Sequence, residues 1–235
     1  MQKRFNHGLQ FGASYTRSRF ESNNDASLGE TGTDGSNQRP QSMFDYEAEW
    51  SLSQFDVPNR FVVNYLWEVP GPKSGVLKHI LGGWQFSGIT AFQSGRPFTI
   101  VTGVDSNGDG NTGSDRPNLV GGALNWDDEH KTFTNDGYVA TPLGNNNLPL
   151  ANSQGDGSLA RNTERTASFW NTDLSLLKRF YMFGDRQLII RADAFNVFNQ
   201  DSYGLPTVSL ASASFGQNGN SWGRRVITLS AKFVF

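Results

Sequence analysis

Apolar and polar residues alternate with period two along six segments of this chain. The last is the cleanest: Arg225, Ile227, Leu229, Ala231, Phe233 and Phe235 take one set of positions, and Val226, Thr228, Ser230, Lys232 and Val234 the other. Successive side chains of an extended strand point to opposite sides, so one side is almost wholly apolar and the other mostly polar. The same split sets Leu9, Phe11, Ala13 and Tyr15 against Gln10, Gly12, Ser14 and Thr16, and Phe61, Val63, Tyr65 and Trp67 against Val62, Asn64, Leu66 and Glu68. It sets Trp84, Phe86, Gly88, Thr90 and Phe92 against Gln85, Ser87 and Gln93, and Trp170, Leu174, Leu176 and Phe180 against Asn171, Asp173, Ser175 and Arg179. A further segment sets Leu188, Ile190, Ala192 and Ala194 against Gln187, Arg191 and Asp193. No window keeps helical spacing for three turns. The pattern predicts an all-β protein with strands roughly at 4–20, 59–69, 83–100, 168–181, 186–198 and 223–235.

The connections alternate in length. Met182–Asp185 makes a tight turn, and a stretch around Pro70–Gly75 joins the second strand to the third. The loops at roughly 21–58, 101–165 and 199–222 are far longer than the usual ~4–6 residues. Short turns at one end and long loops at the other are the plan of an antiparallel up-and-down transmembrane β-barrel segment, with short periplasmic turns and long extracellular loops. Hydrocarbon offers no partner to a backbone N–H or C=O, so only helices and closed sheets cross it. The apolar sides are then expected to face outer-membrane lipid and the polar sides a wet lumen. Aromatics near the strand ends (Tyr15, Phe20, Phe61, Trp67, Trp84, Phe98, Trp170 and Phe180) would form the interfacial girdles. The competing expectation is a secreted soluble β-sandwich, a ligand- or carbohydrate-binding module, whose strands also alternate. Nothing in a sandwich puts a long loop at every second connection.

Six strands ~4.8 Å apart would close into a cylinder only about 12 Å across, and single-chain barrels begin at eight strands. The expectation is therefore one arc of a larger barrel. Met1–Asn6 has a basic start with no apolar stretch behind it, which places any signal peptide outside this chain. Composition narrows the functional classes further. The 20 basic and 22 acidic residues give a net charge of −2, which leaves no electrostatic footprint for nucleic acid. The absence of Cys removes disulfides, thiolate metal sites and cysteine nucleophiles. His7, His79 and His130 lie far apart, and Ser74-Gly75 and Ser94-Gly95 lack a Gly-x-Ser-x-Gly frame. No catalytic residues and no enzymatic activity are expected.

Several stretches resemble one family. Lys3–Phe11 opens an upward strand, and Phe55-Asp56-Val57-Pro58-Asn59-Arg60-Phe61-Val62 enters a downward one. Gly83–Ile89, Gln93–Thr99, Asp115-Arg116-Pro117, Arg191–Asn199 and Leu229–Phe235 follow in order. Together they resemble the C-terminal barrel portion of a TonB-dependent outer-membrane receptor or transporter of the Oar-like group, whose N-terminus carries a carboxypeptidase-regulatory-like domain. The resemblance implies the outer membrane of a Gram-negative bacterium, a barrel of about 22 strands and a substrate-uptake role. It also implies a plug domain and a contact with TonB, both outside this chain. Ile227, Leu229, Ala231, Phe233 and Phe235 resemble the terminal signal by which the barrel-assembly machinery captures outer-membrane proteins, an exposed strand edge being open to strand addition.

Two loop segments carry candidate chemistry. Asp105-Ser106-Asn107-Gly108-Asp109-Gly110 places oxygen ligands at alternate positions with Gly at the sixth, as a calcium loop begins, and Asp115 could add another oxygen. The full EF-hand pattern fails, because position twelve is Arg116. Calcium is the one ion this reading admits; no other cofactor is expected. Residues 101–165 hold nine acidic and four basic residues with ten Gly and ten Asn, which reads as a mobile, solvated loop or a substrate-contacting lid. Trp126, Phe133 and Tyr138 within it could stack on sugars, and Asp127-Asp128-Glu129-His130 could be drawn as a metal site, although charge runs in loops are usually solvated. Arg191 and Asp193 read as a polar pair facing the lumen.

Overall fold

A computed structural model of the chain describes residues 2–6, 8–25, 39–72, 74–119, 124–127, 132–135, 138–139, 156–184, 186–218 and 221–235; of these, 2–6, 119, 124–127, 132–135 and 138–139 are given by backbone alone. Seven strands form one antiparallel sheet: β1 (Gln2–Asn6), β2 (Leu9–Arg17), β3 (Asn59–Glu68), β4 (Trp84–Gln93), β5 (Phe169–Tyr181), β6 (Gln187–Phe195) and β7 (Val226–Val234). Their spatial order is their chain order, an up-and-down meander. β1 and β7 are its edges, and no pairing joins them, so the barrel is not closed.

Two segments differ most from the sequence reading, while the predicted 186–198 and 223–235 are each shorter by about three residues at the long-loop end. The segment at 4–20 is not one strand: β1 folds back on β2 as a hairpin, with Asn6 opposite Leu9, so the sheet has seven strands and not six. Gly8 sits in that turn at φ +79°, a conformation that costs other residues strain. The third predicted strand ends at Gln93, and residues 94–100 leave the sheet. Every turn at the β1–β2 end is short, apart from residues 69–83, which carry helix α1 (Val76–Leu81). All three long connections lie at the other end.

The register carries each side's character across the sheet. Leu9, Trp67, Phe86, Leu176, Ala192 and Leu229 stand opposite one another in a single row. The next row on that side runs Phe11, Tyr65, Gly88, Leu174, Ala194 and Ile227. The intervening row, on the opposite side, reads Gln10, Leu66, Ser87, Ser175, Asp193 and Thr228. Gly88 does not break the apolar surface. A Cβ there would lie 2.7 Å from both the Tyr65 hydroxyl and Leu174 Cδ2, so its neighbours already occupy the space. Aromatic rows mark the ends: Tyr15, Phe61, Phe92 and Trp170 beside the long loops, and Phe180, Leu188 and Phe233 beside the turns.

Among the described residues no second layer covers the apolar side. Phe61, Trp67, Phe92, Leu176, Ile190, Ile227, Leu229 and Phe233 are all exposed, Leu229 to 75%. Burying such a side chain is worth ~1.5–3 kcal/mol, so leaving this row in water would forfeit an amount comparable to the about 5–15 kcal/mol of a domain's net stability. A soluble sandwich presses those faces together; this fold leaves them outward.

Among the described side chains, a buried charge stands on the apolar side. Lys178 is buried at the turn end, where Nζ donates to Ile80 O at 2.9 Å and to Gly82 O. The rings of Trp84 and Phe180 lie 4.8 and 5.2 Å from it. Trp84 Nε1 donates to the same Ile80 carbonyl at 2.9 Å. The last carbonyls of a helix lack internal partners and favour a cation, so the end of α1 takes the place of water around the lysine.

Replacing Leu176 by Arg in lipid-reconstituted protein is expected to cost about 2–4 kcal/mol of folding free energy, read from denaturant titration in vesicles. Ser175→Arg, one residue away on the polar side, is expected to cost far less; equal losses would overturn the two-sided assignment.

Candidate functional site

The long connections do not hang free of the sheet. After β4 the chain turns inward as Pro97–Phe98, which pairs with Glu164–Arg165. Phe98, Ile100, Val101, Leu159 and Val208 form a buried cluster, with Leu205, Leu210 and Phe215 packed on it. Val101 donates its N–H to Val208 O at 3.1 Å and accepts from Leu210 N at 2.9 Å, which docks the third long connection on the second.

Charge binds the first connection to the second. Arg116 Nη1 donates to both carboxylate oxygens of Glu49 at 2.9 Å, with both side chains buried. Arg116 Nε donates to Leu159 O at 2.7 Å, and its backbone N–H to Gln41 Oε1 at 2.7 Å. Arg161 pairs with Asp25 at 3.1 Å, and Arg165 pairs with Asp56. In all three pairs the carboxylate comes from the first connection and the guanidinium from the second. Burial pushes the Asp25 carboxyl up, but hydrogen bonds from Ser22, Ser53 and the Gln54 amide, with the Arg161 charge, hold it below its ordinary value.

The expectation of a mobile, solvated loop over 101–165 is therefore corrected for its described parts. Thr99, Thr102, Ser106, Ser114, Asp115, Arg116 and Asn162 are nearly inaccessible to solvent. Their polar groups are drawn inward because they hydrogen-bond one another, as Thr99 Oγ1 does with Asn162 Oδ1 at 3.1 Å. His7, Asp128, Glu129 and His130 fall outside the described residues, as do the side chains of Trp126, Asp127, Phe133 and Tyr138.

Asp105, Asn107, Asp109 and Asp115 lie on one loop, and the side chain of each accepts from that loop's own amides. Asp105 Oδ1 accepts from Gly108 N at 2.7 Å and Oδ2 from Gly110 N at 2.9 Å. Asn107 Oδ1 accepts from Asp109 N at 3.0 Å. Asp115 Oδ2 accepts from the backbone N–H groups of Ser106 and Asn107. Burial pushes the Asp115 carboxyl above its usual range; those two amides oppose the shift, and the charges of Asp109 and Asp105 add to it. Among the described residues no three His, Asp or Glu side chains are gathered so as to hold a metal by themselves.

Hollows lie along the polar side and at its long-loop end. A groove of ≈ 410 Å³ runs along the sheet past Gln10, Asn64, Ser87, Asp173, Ser175 and Arg191. Arg191 Nε donates to Asp193 Oδ1 at 2.8 Å, the expected pair on that side. At the long-loop end a larger cleft of ≈ 620 Å³ is walled by Gln93, Arg96 and Phe169 from the sheet end and by Tyr203, Leu205 and Trp222 from the third connection. The Trp222 ring lies where a Cβ on Gly204 would be, 2.6 Å from it, so only glycine admits the ring there. The terminal set Ile227, Leu229, Ala231 and Phe233 lies on the apolar side of the edge strand β7, and Phe235 follows it, 95% exposed.

A sheet with one uncovered apolar side, long loops at one end and short turns at the other has the architecture of an outer-membrane β-barrel. A family model described as an outer membrane beta barrel domain matches residues 1–228, and the chain belongs to that family. It is a protein of the Gram-negative outer membrane, its apolar rows set against lipid. No curated protein and no solved structure matches the chain.

Removing one partner of a buried ion pair costs about 3–5 kcal/mol. Glu49→Gln is therefore expected to speed amide hydrogen exchange in residues 94–119 and 156–165 while β5 and β6 stay protected. Pairing Glu49→Leu with Arg116→Met should restore most of that protection, and unchanged exchange in the single variant would refute the clasp.

Proposed function

We propose that this chain forms seven strands of the wall of a larger barrel in a TonB-dependent, Oar-like outer-membrane receptor, with its polar side lining a substrate-uptake pore. The open sheet carries the reading. β1 and β7 each leave a row of backbone N–H and C=O groups without partners, which hydrocarbon does not tolerate, so further strands complete the ring. Two unjoined edges with a grooved, charged polar side suit an arc around a wide wet lumen better than a closed cylinder of seven. The ≈ 620 Å³ cleft sits at the outer mouth of that lumen, where Arg96, Tyr203 and Trp222 would meet a substrate entering from outside. The protein's role is binding and passage without catalysis. The plug and the TonB contact belong to sequence outside this chain.

Uptake by the intact receptor is the direct test. Cells given panels of siderophores, cobalamin, oligosaccharides and peptides are expected to accumulate one class, and to lose that accumulation when TonB is deleted. Accumulation that persists without TonB would sink the coupled-uptake reading and leave a passive barrel.

Assembly gives a second test. Phe235 follows directly on the edge strand on which the barrel-assembly machinery would act by strand addition. Phe235→Ala should lower the amount of receptor in the outer membrane several-fold, whereas Phe183→Ala, equally exposed at a turn, should not. Equal effects would mean that Phe235 is only one more exposed aromatic.

A further inference from the structure

Every buried carboxylate that ties the first long connection to the second has a guanidinium partner: Asp25 has Arg161, Glu49 has Arg116 and Asp56 has Arg165. The Asp105–Asp115 loop breaks that rule. Asp105, Asp109 and Asp115 lie on it, and Asp156 is drawn to it by a hydrogen bond from Asn107 Nδ2 at 3.2 Å. Among the described residues no Lys or Arg pairs with any of these four. Arg116, the nearest guanidinium in sequence, is committed to Glu49. Asp115 is 1% exposed, and its Oδ1 has no hydrogen-bond partner although its Oδ2 is held by the loop's own amides. A water molecule could fill that hydrogen bond but not balance the charge.

We propose that this loop is a calcium site, with Asp115 Oδ1 its buried inner ligand. Hard divalent cations take oxygen donors, and calcium accepts a flexible set of six to eight drawn from carboxylates, amide oxygens and main-chain carbonyls. That mixture is what the loop offers: carboxylates at Asp105 and Asp109, the Asn107 amide between them, and the peptide carbonyls of a chain turned at Gly108 and Gly110. Among the described residues no three acidic side chains are placed to hold one ion together, so the amide and main-chain oxygens must supply most of the set, and the acidic side chains of the loop would close on the ion as it binds. The amide N–H groups that bond Asp105 and Asn107 fix where those side chains point and leave each oxygen a second lone pair. Magnesium, which demands near-octahedral geometry and sheds water reluctantly, suits this set less well. The ion would neutralise a loop whose Asn107 also donates to Gln41 O at 2.9 Å, and Gln41 in turn accepts from the Arg116 amide. Its binding therefore reinforces the clasp between the two connections.

The experiment is calorimetric titration of the purified full-length receptor in detergent, stripped with chelator and then given calcium chloride. One equivalent is expected to bind with a Kd of about 10⁻⁴–10⁻³ M, the range of extracellular calcium modules, and magnesium chloride at least ~10-fold more weakly. Asp115→Asn should weaken calcium at least ~10-fold. Because Asp115 is buried, the paired change Asp105→Asn with Asp109→Asn on the more open side of the loop provides the same test without disturbing the cluster's interior. Chelation should also raise protease cleavage within 101–119, and calcium should reverse it. No binding at millimolar calcium would overturn the proposal. So would binding unchanged in both variants, or lost only when Asp128 and Glu129 are replaced.

Discussion

A backbone polar group in hydrocarbon has no partner except another backbone group, and that constraint orders the rest of this molecule. It demands continuous pairing from β1 to β7, and it demands that each strand keep its apolar residues on one side through every register. The rows from Leu9 to Leu229 and from Phe11 to Ile227 meet both demands together. A slip of one residue in any pair would put Asp193 or Ser175 into lipid and Leu176 into the lumen. The buried cation on the apolar side satisfies the same requirement by other means: Lys178 takes its partners from the end of a six-residue helix and from two aromatic rings, not from solvent.

Beyond the strand ends the constraint lapses and a different chemistry holds the chain. Connections with water around them cannot gain from lipid, and their buried apolar cluster is small. What gathers them is charge and hydrogen bonding: three guanidiniums from one connection on three carboxylates from another, with Gln41 bridging Arg116 to the backbone at Gly157 through Nε2 at 2.9 Å. Desolvating such pairs is costly, and they hold because the remaining polar atoms around them are nearly all bonded. Arg161 Nε is among the few exceptions, lying 4.0 Å from Glu49 Oε2 without a hydrogen bond.

These two regimes decide what the sequence could reveal. Period two is a local property, so Val226–Val234 or Leu188–Ala194 announces a strand and its outward side unaided. The β1–β2 turn escaped because Lys3-Arg4-Phe5-Asn6 and Leu9 read as one continuous run, and only the fold-back at Gly8 separates them. The excursion of Pro97–Val101 escaped because Phe98 and Ile100 continue the alternation that precedes them while the chain has left the sheet. The ion pairs were illegible for another reason. Arg116 and Glu49 are 67 residues apart and Arg161 and Asp25 are 136 apart, and nothing in either segment names its partner. Asp115-Arg116-Pro117 was visible as a motif, but its burial was not. The spacing of Asp105, Asn107 and Asp109 was legible because, like a strand, it is a pattern of neighbours.

The cleft at the long-loop end depends on both regimes at once. Its inner wall is Gln93 and Phe169, fixed by β4 and β5, whose register lipid enforces, and Arg96 just beyond β4, held by two hydrogen bonds to Thr166. Its outer wall, Tyr203 and Trp222, belongs to a connection held by Val101 on one flank and by the strand ends on the other. There Asp173 Oδ1 accepts the Asn196 N–H at 2.8 Å, and Thr172 O accepts from Val197 N at 2.9 Å. With Trp222 seated on Gly204, neither wall can shift without giving up contacts that the other regime supplies. Among the described residues the shape of this cleft is thus set by packing between loops and rim, and any selectivity it exerts would follow from the side chains that line it.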